Sequence, residues 1–70
     1  MAPEIGAIYQ STKNGHKYEV VAIGKHSETL EDMVIYRALY KGDFPAGQLW
    51  CRPLSNWESP RDNHPRFVKV

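Results

Sequence analysis

Met33-Val34-Ile35-Tyr36-Arg37-Ala38-Leu39-Tyr40 alternates with a period of two. Successive side chains of a strand leave on opposite faces, so Val34, Tyr36, Ala38 and Tyr40 share one face. Met33, Ile35, Arg37 and Leu39 share the other. β-branched and aromatic residues suit such a pleated surface. The stretch predicts a strand with one mostly aromatic face and a lone arginine on the other.

The segments on either side punctuate this strand. Lys25 to Asp32 is polar and predicts a connecting loop with room for one helical turn, because Ser27 and Thr29 are capping residues. Before it, His16 to Gly24 carries Tyr18, Val20, Val21 and Ile23 and predicts a strand. Its alternation is loose, so both faces are expected to be partly covered. Asn14-Gly15 then predicts a type I′ hairpin turn, which needs positive φ at both residues. Gly6 to Gln10 predicts the first strand. On the other side, two glycines and a proline within Lys41 to Gly47 predict a turn. Gln48 to Arg52 predicts a fourth strand. Pro53 has no N–H, which confines it to a strand end or an edge. Leu54 to Glu58 predicts a short 3₁₀ turn, Ser59 to Pro65 an irregular segment, and Arg66 to Val70 a closing strand.

Five short strands with at most a short helical turn predict an all-β fold. Closure of the sheet removes exposed edges, so the expected architecture is a small SH3-like barrel spanning residues 1–70 as one domain. An open, curled sheet is the alternative.

Composition narrows the function classes. A chain of 70 residues buries only about 60% of its unfolded surface. Cys51 is the lone cysteine, so no intrachain disulfide assists and a reducing compartment is expected. Nine basic against eight acidic residues give a charge of +1, which is not the field of a general polyanion binder. The start, Met1-Ala2-Pro3-Glu4, lacks the basic and apolar regions of a signal peptide. No apolar run approaches the roughly 20 residues that span a bilayer. A cytoplasmic protein without membrane contact is expected, as a monomer or weak homo-oligomer.

Catalytic and metal chemistry find little support. His16, His26, His64 and Cys51 are not in the local pairs typical of structural zinc sites. Cys51, flanked by Trp50 and Arg52, reads as a small buried hydrophobe rather than a nucleophile. There is no Gly-x-Ser-x-Gly elbow and no glycine-rich phosphate loop. No enzyme, metal or cofactor is expected.

What remains is a concentration of aromatic and basic residues. His26 and Glu28 occupy the polar turn, Tyr36 and Arg37 the third strand, and Trp50 and Arg52 the fourth. Rings beside guanidinium groups offer stacking and cation–π contacts, and small β-barrels use such surfaces for peptides or single-stranded nucleic acid. His26, Glu28, Tyr36, Arg37, Trp50 and Arg52 are therefore the candidate ligand-binding residues of a small binding module. The competing reading makes the rings fillers of an undersized core, with Tyr18, Tyr36 and Phe67 packing inside. Glu28 would then pair with Arg37 or Arg52, and the cluster would serve structure or homo-oligomeric assembly. Arg61, His64 and Arg66 add charge near the C-terminus, partly offset by Asp62, and read as a solvated face.

Several motifs coincide with a known pattern. Gly6-x-x-Tyr9, Gly15-x-x-Tyr18-x-Val20, His26-Ser27-Glu28-Thr29, Val34-x-Tyr36-x-x-Leu39-Tyr40, Trp50-x-Arg52-Pro53-Leu54 and Pro65-Arg66-Phe67 span nearly the whole chain. Together they resemble the bacterial family called Domain of Unknown Function 1653. The resemblance implies a compact SH3-like barrel and assigns no activity.

Overall fold

A computed structural model describes residues 2–70. Met1, where the single-domain reading begins, lies outside the described residues. The strands are β1 (Ile8–Ser11), β2 (Lys17–Lys25), β3 (Asp32–Ala38), β4 (Leu49–Pro53) and β5 (Phe67–Lys69). One short helix, α1 (Leu54–Glu58), follows β4 directly. The strands form a single antiparallel sheet in the order β4-β3-β2-β1-β5. The protein is all-β, as its alternating segments predict. The ladder is open, with β4 and β5 at its edges and no pairing between them. No helix among the described residues is long and apolar enough to cross a membrane.

The inner face follows from the alternation of β3. Val34, Tyr36 and Ala38 are buried there. Register places Tyr18 opposite Ala38 and Val20 opposite Tyr36, while Tyr9 of β1 lies opposite Tyr18. Residues directly opposed across a ladder project on the same side, so these apolar groups meet. Trp57 of α1 completes the core, with Phe67, Leu54 and Tyr40 packed at its margin.

A bulge explains the loose alternation of β2. Val20 pairs with Tyr36, but Ala22 pairs with Ile35, leaving Val21 as an extra, exposed residue. A bulge of this kind exchanges the faces beyond it. Without it Ala22 and Gly24 would point inward. With it, Ile23 faces inward with Val34.

Several local expectations are corrected. Gly15 has φ +77°, but Asn14 keeps a negative φ, so the first hairpin is not a type I′ turn. Instead, Ser11 and His16 close a four-residue loop, with the Gly15 N–H donating to the Ser11 carbonyl at 2.9 Å. Leu54–Glu58 is an α-helical turn rather than 3₁₀. Pro53 enters it at φ −57°, a value its ring fixes, and Ser59 leaves it extended. Cys51 is exposed, not buried. Its strand is an edge, and the outer face of that edge has no layer over it. Pro53 lies at the end of this edge strand, where its missing N–H costs no ladder bond.

Candidate functional site

The six candidate residues do not form one patch. His26 and Glu28 sit in the β2–β3 turn. His26 organises this turn from within: its Nδ1 accepts the backbone N–H groups of Glu28 at 3.1 Å and Thr29 at 3.3 Å. Its carbonyl accepts the N–H of Leu30, which closes the turn at φ +64°. The imidazole therefore satisfies local donors that a turn leaves free, the same physics as a helix cap.

Arg37 lies on the outer face, as its register position dictates. It forms an ion pair with Glu19 directly opposite on β2. Exposed pairs of this kind contribute little to stability. The expected pairing of Glu28 with Arg37 or Arg52 is not formed among the described residues.

Tyr36 and Arg52 meet on the inner side. Arg52 Nε donates to the Tyr36 hydroxyl at 3.0 Å, and Nη1 donates to Asn56 Oδ1 at 3.0 Å. The guanidinium carbon also lies 5.1 Å from the Phe67 ring centre. Arg52 thus ties β4 to α1 and to the opposite edge, β5. Two of its donors are engaged by groups of the protein itself.

Trp50 behaves differently. It lies opposite Tyr36 in register but at the rim, 37% exposed. Phe44, from the loop between β3 and β4, packs its ring edge on Trp50 at 5.0 Å and 87° and is itself 53% exposed. Bonds at the loop's base hold this geometry: Gly47 donates to the Ala38 carbonyl at 2.8 Å, and Ala38 donates to that of Gln48 at 3.0 Å. Gly47 takes φ +89°, a conformation open to glycine at no steric cost. Phe44, Trp50, Tyr40 and Asp43 border a cleft of about 260 Å³.

Sequence reasoning found Trp50 but missed Phe44, Tyr40 and Asp43. An aromatic residue inside a turn rich in glycine and proline was the available signal, since such a segment has no core face to fill.

One wall of the cleft is electrostatically distinctive. The Tyr40 and Tyr18 hydroxyls share a hydrogen bond of 3.1 Å, and His16 stacks flat on the Tyr40 ring at 3.8 Å. The bond to Tyr18, then burial, push the Tyr40 hydroxyl from its ordinary 10.0 up to about 12. The folded state thus favours the neutral phenol. Its stabilisation is complete below the unfolded value and is lost as pH rises from 10.0 toward 12. Ultraviolet tyrosinate titration is expected to show one late-ionising tyrosine that Tyr18→Phe brings back toward 10.0. An unchanged titration in that variant would remove the shared bond as the cause.

No curated protein matches this chain, and no solved structure matches it. Residues 7–69 match the family described as "Protein of unknown function (DUF1653)", and the chain belongs to that family.

Proposed function

We propose that the chain is a small binding module whose site is the aromatic cleft beside β4, and that its ligand is an extended peptide segment. The observation that carries this reading is the exposed Phe44–Trp50 pair, held outside the core by a braced loop. Large rings are normally buried, and a rigid exposed pair offers contact area at small entropic cost. The cleft's bordering charge is the carboxylate of Asp43, with no cation among its lining residues. That arrangement disfavours phosphate backbones and suits an apolar or basic peptide. β4 adds an unpaired edge to which an extended chain can hydrogen-bond. Two contacts support an SH3-like arrangement without a closing ladder: Arg52 of β4 and Trp57 of α1 both lie against the Phe67 ring of β5.

Panning a random peptide phage library against the protein tests this. Selected peptides are expected to shift the amide signals of Gly42 to Trp50. The Phe44→Ala/Trp50→Ala double variant should bind them at least about tenfold more weakly while keeping its fold, as truncated anchor rings cost more than about 1 kcal/mol each. Peptides that bind the variant as well as the native chain would refute the site. Concentration-dependent shifts along β4 without peptide would instead assign the edge to a second copy of the chain.

A further inference from the structure

We propose that a second cleft, between the β1–β2 turn and the segment around Arg61–His64, binds a phosphate group. This site is separate from the aromatic cleft and does not depend on its function.

The segment from Ser59 to Pro65, irregular by its sequence, contains a built element. Arg61 and His64 exchange both backbone hydrogen bonds, each 2.8 Å long. The two residues between them, Asp62 and Asn63, have φ +50° and +67°. This is a two-residue hairpin of the type that needs left-handed residues, and Asp and Asn are the side chains that tolerate that region best. Residues facing each other across such a pair project on one side. Arg61 and His64 are therefore presented together.

The opposite wall is fixed to the same segment. Thr12 Oγ1 donates to the Pro65 carbonyl at 2.7 Å, and the Thr12 N–H donates to that of Arg66 at 3.0 Å. These bonds hold the adjacent Lys13 across from the hairpin. The resulting cleft measures about 620 Å³ and is lined by Lys13, Arg61, Asp62 and His64 together with Thr12, Pro65 and Val68.

Charge balance gives the ligand class. The ion pairs among the described residues use Lys25, Arg37 and Lys69, and none uses Lys13, Arg61 or His64. Two cations and an imidazole thus face one carboxylate, that of Asp62. A guanidinium and an ammonium lining one cleft offer charge-assisted hydrogen bonds to the oxygens of a phosphate group. The chain's overall charge of +1 supplies no wider field for a polyanion. The site is therefore local, and one group is read at a time.

Amide NMR titration of the native chain tests this with three probes at constant ionic strength: inorganic phosphate, an unphosphorylated thymidine oligonucleotide, and the same oligonucleotide with a 5′-phosphate. Saturable shifts at Lys13 and Arg61 to His64 are expected. Response to inorganic phosphate and the 5′-phosphate alone assigns a terminal phosphate. Equal response to the unphosphorylated strand assigns a backbone phosphate. Lys13→Gln/Arg61→Gln should weaken binding at least about tenfold, in line with loss of two charge-assisted contacts. Asp62→Asn keeps the tolerance for left-handed φ and removes the opposing charge, so it should tighten binding. It decides the matter if the double variant fails to fold. Non-saturating shifts with every probe, or variants that bind as the native chain does, would overturn the site.

Discussion

Trp57→Ala is expected to remove about 3–5 kcal/mol, a large part of the protein's stability. Trp57 is buried, and its ring stacks on Phe67 at 3.9 Å with 7° between planes. It also meets the edges of Tyr9 at 5.5 Å and Tyr36 at 5.4 Å. Truncating a buried Trp to Ala costs about 3–5 kcal/mol. At roughly 0.05–0.15 kcal/mol per residue, a chain of this length has a total stability of only about 4–10 kcal/mol. The core cannot easily collapse around the loss, because α1 is one turn long and Trp57 is its one buried residue. Denaturant unfolding followed by near-ultraviolet circular dichroism is the check. A loss below about 1 kcal/mol, typical of a substitution outside the core, would show that α1 is dispensable.

The same ring shows how far the sequence could be read. The period of two in residues 33–40 identified the strand, its buried face and the partners that must lie opposite. That signal is strong because β3 lies inside the sheet, paired on both sides. It weakened wherever alternation alone does not say what covers a face. Cys51 was expected inside because cysteine is usually buried, yet β4 is an edge with nothing over its outer side. Val21 blurred the pattern of β2 because a bulge adds one residue without a sequence mark.

The candidate site was less legible than the fold. Sequence proximity grouped His26, Arg37, Trp50 and Arg52, but the sheet distributes them over a turn, an outer face, a rim and an interior contact. Which face an arginine takes follows from the alternation, and Arg37 was correctly placed opposite Tyr36. What it pairs with depends on strand register, which set Glu19 rather than Glu28 beside it. Asp62-Asn63 is a readable turn signal, since both residues tolerate positive φ.

Arg52→Met is expected to destabilise the protein by about 2–3 kcal/mol, a loss set by the hydrogen bonds of a charged group. Two such bonds disappear, to the Tyr36 hydroxyl and to Asn56 Oδ1, each 3.0 Å long. The aliphatic replacement keeps much of the stem's packing, so the loss reports the guanidinium and not a cavity. It includes the contacts over the Tyr36 and Phe67 rings, at 5.8 Å and 5.1 Å, which are worth about 0.5–2 kcal/mol together with their desolvation. Tyr36 is buried, and its hydroxyl would lose its charged donor, which adds to the cost. The variant separates two roles that the sequence could not. If Arg52 bridges β4, α1 and β5, unfolding moves to lower denaturant, while peptide selected on Phe44 and Trp50 binds the folded fraction with nearly native affinity. If Arg52 contacts ligand, stability changes by less than about 0.5 kcal/mol, as at an ordinary surface position, and affinity falls instead. The geometry supports the first outcome: Arg52, on one edge strand, lies over the Phe67 ring of the other edge strand and bonds Asn56 of α1.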